Sequence, residues 1–482
     1  MTSALVSSGP ARCDDRLLLT DLEKLKIHMV GIGGCGMSGL AAILLRRGAR
    51  VSGSDAQASH DLARLTAAGA SITTQQRAEA VPPDTDLVVA SAAIPADHPE
   101  LAEARRRRVR IIKYAQVLGA LMDRYDGIAV SGTHGKSTTT AWITFILRRA
   151  GLDPSFVVGA SIAQLGGGSG VGDGPHFVAE ACEYDRSFLN LRPRRAVILN
   201  IEEDHLDCYK DLAAIRESFT QFAARVLPDG LVVLNAHDAG CRQIAAGLTT
   251  RVQTFGTADN ATWRATDLTA ESGCYSFNAV FGGTPLGRVR LGIAGRHNVD
   301  NALAVIAIAH ACGVAWEHIA AGLAEFRGAR RRLELRGEAG GVRVADDYAH
   351  HPTEIRATLQ AARERFAPRR LWCVFQPHQH SRTRFLLADF AGSFAQADRV
   401  VVPDIYFVRD SERERELVCA ADLMTEIRRR GGDATYLADF GAIVDLLAQE
   451  AAPGDVVITM GAGNIWRVAD DLVKRLGGHL PS

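Results

Sequence analysis

The sequence predicts an α/β protein organised in three sections. Two observations support this prediction: short runs rich in β-branched residues alternate with helical stretches along the chain, and each run ends in a polar or glycine-rich turn. Alternation of this kind is typical of parallel sheets flanked by helices. The chain length of 482 residues agrees with several domains, because it exceeds the size of a domain with a single hydrophobic core.

The first section covers residues 1–120 and contains four predicted strands. These are IHMVGI (27–32), ARVSGS (49–54), DLVVASA (86–92) and VRIIK (109–113). The first strand runs into a G-x-G-x-x-G loop made by Gly31, Gly33 and Gly36, and Asp55 follows the second strand. Taken alone, this fingerprint predicts a dinucleotide site with the acid on an adenosine ribose, and hence an NAD-dependent oxidoreductase.

The second section, residues 121–327, opens with a strand, a glycine loop and an amphipathic helix that Gly151 closes. Further strands are predicted near 177–182, 196–201 and 231–235, followed by a β-rich insertion over 252–292 and a helix after Asn298. The third section, residues 328–482, contains the strand-and-turn segments VRVADDYAHHP, LWCVFQPH, DRVVVPDIY and DVVITMGAGN. Open α/β sheets bind ligands at the carboxyl ends of their strands, so the site is expected at these turns.

The loop SGTHGKSTTT in the second section predicts an ATP site. It departs from the strict Walker A pattern, because Val130 occupies the place of the first glycine. The physical requirements are still met, since Gly132 and Gly135 permit tight turns and a helix amino terminus follows. Lys136 can neutralise phosphate charge and Ser137 can bind magnesium. The predicted ATP-binding residues of the loop are Gly132, Thr133, His134, Gly135, Lys136, Ser137 and Thr138.

Composition argues against several classes of partner. Lysine plus arginine and aspartate plus glutamate both number 55, so the zero formal charge gives no reason to expect nucleic acid or an acidic membrane surface. The start MTSALVSSGPARCDD lacks a basic segment joined to a long apolar core, and no run of about 18 apolar residues occurs. The nine scattered cysteines include no C-x-x-C pair, which suits a reducing compartment. We therefore expect a cytoplasmic protein without membrane insertion.

The loop GTHGKSTT resembles the ATP loop of the Mur ligases, the ATP-dependent amino-acid ligases of peptidoglycan assembly. Other segments, spread over nearly the whole chain, resemble the members that join L-alanine to UDP-N-acetylmuramate. They are GIGGCGMSGLA, NIEEDHLDCY, GRHNVDNALA, FRGARRR, DDYAHHPTEI and FQPHQHSRTR. The resemblance implies the three-domain Mur ligase architecture. Residues 1–120 would form a Rossmann-like UDP-sugar-binding domain, 121–327 a central P-loop-type ATPase domain, and 328–482 a Rossmann-like domain that binds the amino acid and closes on ATP.

The same resemblance implies that Ser137, Glu180 and His205 surround Mg²⁺, with Lys136 on the transferred phosphate. Taken in isolation, His205 is better read as a polar loop residue, because a hard cation prefers oxygen ligands. Relatives commonly have A-E-A-D-E-S-D where this chain has Ala-Glu-Ala-Cys-Glu-Tyr-Asp over 179–185. That difference leaves open whether Glu183 shares the metal role.

For the nucleotide, the resemblance places Asn298 at the adenine and Arg331 and Asp347 on the opposite side, with Asp347 suited to a ribose hydroxyl. Without it, Asn298 is explained by helix capping and an arginine run by a solvated face. For the UDP-sugar, the resemblance places the glycine loop on the diphosphate, through Gly33, Gly34, Gly36, Met37 and Ser38. It places Asp55 and Ser91 towards the uridine and the sugar.

Tyr348, His350, His351 and Arg382 are the residues that the resemblance places at the amino acid and the acyl phosphate. Arg382 can offer a bidentate fork to the alanine carboxylate, and His350 could take a proton from the incoming ammonium group. The alternative for the two histidines is a helix-start turn before Pro352. Which group acts as the base stays open.

The expected reaction joins L-alanine to the lactyl carboxylate of UDP-N-acetylmuramate through an acyl phosphate, with release of ADP and phosphate. A sister ligase that uses a recovered muropeptide is the first alternative, and Tyr348 disfavours it because phenylalanine is expected there. An NAD-dependent oxidoreductase leaves the ATP loop unexplained, and the intact Lys136 argues against a non-catalytic UDP-sugar-binding module. The expected state is a monomer or a weak homodimer.

Overall fold

Three β-sheets, each flanked by helices, make up the protein. The structure is a computed structural model that describes residues 24–205, 207–408 and 410–480, without the side chains of Cys35 and His60. The first sheet lies within residues 26–113, the second within 126–294 and the third within 334–460. The predicted three-part α/β fold is therefore confirmed.

The first sheet has five parallel strands in the order β3-β2-β1-β4-β5. The strands are β1 (Lys26–Val30), β2 (Arg50–Ser54), β3 (Ser71–Thr73), β4 (Leu87–Ala90) and β5 (Arg110–Lys113). The helices are α1 (Cys35–Arg46), α2 (His60–Ala67), α3 (Pro99–Arg106) and α4 (Tyr114–Met122). The strand order reverses between β1 and β4, which is where a doubly wound sheet binds its ligand. The glycine loop follows β1 and lies at this point.

The second sheet has ten strands in the order β15-β14-β13-β12-β11-β10-β6-β9-β7-β8. They are β6 (Asp126–Ser131), β7 (Ser155–Val157), β8 (Ser169–Gly170), β9 (His176–Glu180), β10 (Arg195–Ile198), β11 (Leu231–Asn235), β12 (Arg251–Gly256), β13 (Trp263–Glu271), β14 (Cys274–Phe281) and β15 (Thr284–Ala294). The helices are α5 (Lys136–Arg149), α6 (Leu212–Ala223), α7 (Ala239–Ala245), α8 (His297–Ala311) and α9 (Trp316–Glu325). The β-rich insertion predicted over 252–292 comprises the parallel strand β12 and the antiparallel edge β13–β15.

The helices α5 and α8 carry the central core. Both are buried along most of their length, because each presents small or apolar residues on more than one face. Trp142 of α5 is fully buried and stacks on Phe326 with ring centroids 5.2 Å apart. Removing a buried aromatic side chain of this size costs about 3–5 kcal/mol. This packing fixes the axis of α5, and with it the loop that precedes the helix.

The third sheet has the order β16-β17-β21-β18-β19-β20, and only the edge strand β16 is antiparallel. Its strands are β16 (Glu334–Ala339), β17 (Val342–Asp347), β18 (Leu371–Phe375), β19 (Arg399–Val402), β20 (Ala434–Tyr436) and β21 (Val456–Met460). Its helices are α10 (Pro352–Phe366), α11 (His380–Phe385), α12 (Leu387–Ala391), α13 (Glu412–Leu417), α14 (Ala420–Arg429), α15 (Phe440–Glu450) and α16 (Trp466–Arg475). Separate apolar cores cover its two faces.

The three sheets are joined by side-chain contacts. One apolar core continues from the first sheet into the second, through residues such as Leu118 and Phe188, and Lys113 forms an ion pair with Asp185 at 2.6 Å. No helix in the described part of the chain is both long and apolar enough to cross a membrane. The carboxyl ends of β6 and β17 contribute to one cavity between the second and third sheets, and that cavity is the centre of the candidate site.

Candidate active site

The backbone of the first glycine loop, residues 31–34, is fixed by Asp55, the acidic residue that follows β2. Gly31 has a φ of +76°, a conformation that favours glycine. The Gly33 amide donates to Asp55 Oδ2 at 2.8 Å, and a Cβ at Gly33 would lie 2.8 Å from that oxygen. Asp55 Oδ1 accepts from the amide of Gln57 at 3.1 Å. In this structure the Asp55 carboxylate therefore supports the loop.

The other residues predicted to bind the UDP-sugar lie around the same loop. Gly34 is the N-cap of α1, and Met37 and Ser38 are buried in its first turns. The Ser91 Cβ lies 3.3 Å from the position a Cβ on Gly31 would take. A Cβ at Gly36 would lie 2.8 Å from the Tyr114 hydroxyl, so the tyrosine packs directly on the loop. The structure thus brings the predicted residues together.

The second loop is shaped by Gly132 and Gly135, whose φ angles are +137° and +83°. Gly135 is the N-cap of α5, and no side chain caps this helix end. The amino group of Lys136 curls back over the loop and donates to the carbonyls of Gly132 at 2.6 Å and Thr133 at 3.0 Å. Backbone amides and a lysine at a helix amino terminus form the arrangement that binds phosphate groups.

A buried acid, Glu183, lies directly against Lys136. The Lys136 amino group is 3.0 Å from Glu183 Oε1, and the two side chains are 13% and 4% exposed. Burial alone would lower the pKa of Lys136, but the charge of Glu183 outweighs it and the pKa lies above its usual value. The same pair holds the pKa of Glu183 below its usual range against the opposing effect of burial. Both groups are therefore charged at neutral pH.

Two of the three predicted magnesium ligands meet beside this pair. The Ser137 hydroxyl donates to Glu180 Oε2 at 2.8 Å, and the Gly159 amide donates to the same oxygen at 2.8 Å. The third, His205, contacts the same pair through Glu183: its Nε2 lies 3.6 Å from Glu183 Oε1, the oxygen that also faces Lys136, and its backbone is left-handed with φ +54°. Glu183 is thus placed between Lys136 and His205, while the hydroxyl and carboxylate oxygens of Ser137 and Glu180 form a donor set that suits Mg²⁺.

A cavity of about 370 Å³ lies between the second and third sheets. This volume falls within the range typical of small-molecule sites. Several residues predicted to bind the nucleotide line it: His134, Gly135, Thr138, Asn298 and Asp347. The phosphate loop thus opens onto a space that the two domains enclose together.

Asn298 does not cap α8, so the capping interpretation is wrong. The helix begins at His297 and its N-cap is Arg296, whose side chain makes no capping hydrogen bond. The Asn298 amide group donates to the carbonyl of Ala294 at 2.7 Å, and its Oδ1 accepts from Asn301 Nδ2 at 3.0 Å. Both asparagines line the cavity, where their amides can offer hydrogen bonds to a base.

Asp347 lies at the carboxyl end of β17 and is buried. Its two oxygens accept from the amides of Leu333 and Ala349, both at 2.7 Å. Burial raises the pKa of Asp347 to about 6, with Arg332 opposing the rise. Through the two amides, the Asp347 carboxylate fixes the backbone of the cavity wall. It also lines the space in which the ribose is predicted.

Arg331 and Arg332 have different surroundings. The Arg331 guanidinium donates to Asp346 Oδ2 at 2.8 Å and to the carbonyls of Gly461 and Gly463, which fastens it to the third sheet. Arg332 lines the cavity and lies 3.6 Å from Glu354 Oε1. Arg332, and not the predicted Arg331, therefore lines the cavity in which the nucleotide is expected.

The residues predicted at the amino acid gather at the start of α10. The Tyr348 ring contacts two guanidinium groups, with its centroid 5.1 Å from Arg331 Cζ and 5.4 Å from Arg332 Cζ. Burial lowers the pKa of His350 to about 4, so its imidazole is neutral at neutral pH and is a weak base in this form. His351 is the N-cap of α10 and accepts from the Thr353 amide at 3.3 Å, as the helix-start interpretation expects.

Arg382 forms a buried ion pair with Asp204 across the two domains. Its Nε and Nη2 donate to Asp204 Oδ1 at 3.0 and 2.8 Å, and both side chains are under 8% exposed. The adjoining space between Arg382, Asp204 and His205 measures about 10 Å³, which is enough for one water molecule and too small for an amino acid. In this closed arrangement, Asp204 occupies the fork that the sequence assigns to the alanine carboxylate.

His134 of the phosphate loop lies between two carboxylates from different domains. Its Nε2 is 3.6 Å from Glu202 Oε2 and its Nδ1 is 3.4 Å from Glu354 Oε1. Burial would lower the pKa of His134, but the two carboxylates raise it to about 9. The imidazolium therefore links the loop to α10 at neutral pH.

This link predicts a pH-dependent contribution to stability. The folded pKa of His134 is raised from 6.5 to about 9, so its contribution is fully present below pH 6.5 and is lost as pH rises through about 9. The shift corresponds to about 3 kcal/mol. We expect the difference in melting temperature between wild type and His134→Gln, measured with chelator present, to be largest near pH 6 and to shrink towards pH 10. The exposed His318→Gln is the control, and a difference that does not change with pH would contradict the assignment.

Three family profiles match the chain in succession. They are the Mur ligase family, catalytic domain over residues 26–126, the Mur ligase middle domain over 130–309, and the Mur ligase, glutamate ligase domain over 331–463. A UDP-N-acetylmuramate--L-alanine ligase of Caldanaerobacter subterraneus subsp. tengcongensis is 45% identical over 457 residues, which cover 94% of this chain and 98% of that protein. The chain belongs to the Mur ligase family.

Two solved structures of the Mur ligase family show the same architecture. The UDP-N-acetylmuramate-alanine ligase MurC from Thermotoga maritima superimposes with a TM-score of 0.80 at 29% identity, covering 94% of this chain and 99% of that one. A murein peptide ligase from Psychrobacter arcticus superimposes with a TM-score of 0.71 at 27% identity, covering 95% and 100%. The family predicted from the sequence motifs is therefore confirmed.

Sequence reasoning missed four polar residues of this Mur ligase site: Glu202, Asp204, Arg332 and Glu354. Each lies one to three residues from a residue that was named, inside the segments NIEEDHLDCY, FRGARRR and DDYAHHPTEI. Their roles depend on partners in another domain, which no local pattern reports. The run Arg330–Arg332 was the available signal, but only the fold shows which arginine faces the cavity.

The two neighbouring arginines give a paired test. Arg332→Ala removes a cation that lines the cavity, so we expect the KM for ATP to rise about 10-fold or more, the equivalent of one charge-assisted contact. Arg331→Ala removes three hydrogen bonds within the third domain, so we expect a lower melting temperature and a smaller change in that KM. Steady-state kinetics and thermal unfolding of both variants check this. The reverse ranking of the two KM values would support the original assignment to Arg331.

Proposed function

We propose that this Mur ligase joins L-alanine to the lactyl carboxylate of UDP-N-acetylmuramate at the cost of ATP, producing UDP-N-acetylmuramoyl-L-alanine, ADP and phosphate. The observation that carries the proposal is the relative of Caldanaerobacter, which is named for this ligation and matches 94% of the chain. The site is consistent with it, because a phosphate loop opens onto a cavity between two domains. We assign residues 1–120 to the UDP-sugar, 121–327 to ATP and 328–482 to the amino acid.

The reaction needs charge neutralisation and positioning more than a nucleophile from the protein. A carboxylate is a poor acyl donor, because an attacking amine would have to expel oxide. Phosphorylation by ATP gives an acyl phosphate, which the amine attacks with phosphate as the leaving group. Lys136 and the amides of its loop would hold the transferred phosphate. Asn298, Asn301 and Arg332 would hold the nucleoside end in the cavity, and Tyr348 and Arg382 would position the amino acid.

Magnesium fits the oxygen donors of the second domain. Ser137 and Glu180 offer a hydroxyl and a carboxylate within 2.8 Å of each other, and we assign them as ligands together with His205. Bound there, Mg²⁺ would neutralise phosphate charge during transfer. Lys136 would share this role from the other side of the loop, and Glu183 keeps the lysine protonated and in place. Glu183 is thus a positioning residue for Lys136 in this scheme.

A murein peptide ligase is the second candidate, because the Psychrobacter enzyme of that name covers 95% of the chain. Such an enzyme would join a recovered peptide to the same sugar nucleotide. Tyr348 and the segment QPHQHSRTR favour the alanine enzyme. The two candidates share ATP, the UDP-sugar and the first two domains, so only the amino-acid side separates them.

Phosphate release distinguishes the candidates. The full-length protein is incubated with ATP, Mg²⁺ and UDP-N-acetylmuramate, and single L-amino acids or the tripeptide L-Ala-γ-D-Glu-meso-diaminopimelate are added in turn. We expect L-alanine to stimulate release and the tripeptide to have no effect. Stimulation by the tripeptide alone would replace the proposal with the second candidate. Reduction of NAD⁺ by the protein would revive the dehydrogenase interpretation of the first glycine loop.

A further inference from the structure

Three side chains that carry no chemical step of the proposed reaction converge beside the nucleotide cavity, although two of them, His134 and His351, are predicted to contact ATP and the amino acid. They are His134 of the phosphate loop, Glu202 after β10 and His351 at the start of α10, and their ligand atoms lie within 4.8 Å of one another. His134 Nε2 is 3.6 Å and His351 Nδ1 is 3.9 Å from Glu202 Oε2. The imidazole centroids are 4.5 Å apart. Two histidines and a carboxylate at this spacing form a recognisable metal-ligand set.

The two histidines each have a second partner on the far side of the ring, and Glu202 has a second partner on the oxygen that faces them. Glu354 lies 3.4 Å from His134 Nδ1, which leaves Nε2 towards Glu202. His351 Nε2 donates to the carbonyl of Glu203 at 3.0 Å, which leaves Nδ1 as the acceptor nitrogen. In the structure Nδ1 takes the long N-cap hydrogen bond of 3.3 Å from the Thr353 amide, which a bound cation would replace. The Thr353 hydroxyl donates to Glu202 Oε2, the oxygen that faces both imidazoles, at 2.6 Å. Outer partners of this kind fix the ring orientation of histidines that bind metals.

His134 Nε2 is the strongest sign that the set is built for a ligand. Among the described residues this buried nitrogen makes no hydrogen bond, since its nearest partner, Glu202 Oε2, lies 3.6 Å away. A cation bound there would take the place of the proton that the imidazolium carries on this nitrogen. Tetrahedral zinc with bonds of about 2.0–2.1 Å places neighbouring donor atoms about 3.3 Å apart. The observed separations of 3.6 and 3.9 Å would close to that value by small side-chain movements. His134 and Glu202 also line the cavity, so the fourth position opens onto it.

We propose that His134, Glu202 and His351 form a site for a transition-metal cation of the Zn²⁺ class, distinct from the magnesium site. Two imidazoles and one carboxylate select Zn²⁺ or Co²⁺ over Mg²⁺, which prefers oxygen donors throughout. The set shares no residue with Ser137, Glu180 and His205. Because His134 and Glu202 belong to the second domain and His351 to the third, a bound cation holds the two domains in the closed arrangement.

Cobalt titration of the chelator-treated, full-length protein in excess Mg²⁺ tests this proposal. We expect one equivalent of Co²⁺ to bind with the visible absorption of four-coordinate cobalt and to be displaced by Zn²⁺. Glu202→Gln and His351→Gln should each weaken binding at least about 100-fold, since each removes a ligand. Glu203→Gln is the matched control, because this neighbouring side chain is exposed and contributes only its carbonyl.

The outcomes separate this site from its neighbours. Loss of cobalt binding in His205→Gln but not in His351→Gln would place the metal at the magnesium site and overturn the proposal. A thiolate-to-cobalt band would place it at Cys182, and lack of stoichiometric binding would also overturn it. Zn²⁺ should raise the melting temperature of wild type and of Glu203→Gln, but not of Glu202→Gln. Should either ligand variant fail to fold, the other carries the comparison.

Discussion

Lys136→Met is expected to reduce ligation at least about 1000-fold while leaving UDP-sugar binding nearly unchanged. The Lys136 amino group lies at the start of α5, over the carbonyls of its own loop, where it would meet the transferred phosphate. Removing a preorganised cation from a phosphoryl-transfer site costs several orders of magnitude in rate. The first glycine loop lies in another sheet, so calorimetric binding of UDP-N-acetylmuramate should persist.

The Lys136 variant also leaves the buried Glu183 without its partner. Breaking a buried ion pair from one side costs about 3–5 kcal/mol, so lower stability could be mistaken for lost catalysis. The double variant Lys136→Met/Glu183→Gln separates the two effects, because it should recover the melting temperature and remain inactive. The exposed Lys210→Met is the matched control. Recovery of activity in the double variant would show that Lys136 acts on stability alone.

Arg382→Ala is expected to lower kcat/KM for L-alanine by about 100-fold or more, with little change in the KM for ATP. The proposed fork to the alanine carboxylate consists of charge-assisted hydrogen bonds, each worth about 1.5–3 kcal/mol. In the structure Asp204 occupies this fork, so the alanine carboxylate would have to displace Asp204 as it binds.

Because Arg382 forms a buried ion pair with Asp204, a second variant is needed to separate alanine binding from stability. Arg382→Ala leaves a buried carboxylate unpaired and should lower the melting temperature, which Asp204→Asn in the same chain should partly restore. The loss in alanine kinetics should remain in the double variant, because the fork is still missing. Initial rates at varied alanine and ATP check both claims. A double variant with wild-type alanine kinetics would show that Arg382 serves only to hold the domains together.

Local patterns of the sequence were sufficient for the sheets and the two glycine loops. The strands predicted in the segments 27–32, 86–92 and 371–378 are present, because each segment has a largely apolar run that is buried in a parallel sheet. The polar exception in β1, His28, is paired with Glu100 at 2.7 Å. The strands β3, β7, β8, β16 and β20 were not predicted. All but β16 are two or three residues long and all but β7 lie at a sheet edge, so their sequences carry no alternation strong enough to detect.

By itself, the sequence determined the chemistry of the loops. The glycines, Lys136 and Ser137 act through a local turn and the start of a helix, and both are formed by residues next to them in the chain. The tertiary structure decided which side chains meet between domains. It placed Arg332 rather than Arg331 on the cavity, Asp204 on Arg382, and two carboxylates around His134. The physical reason is distance along the chain. Partners about 150 or more residues apart, such as Asp204 and Arg382, are chosen by how whole sheets pack, and no periodicity or spacing in either segment encodes that choice.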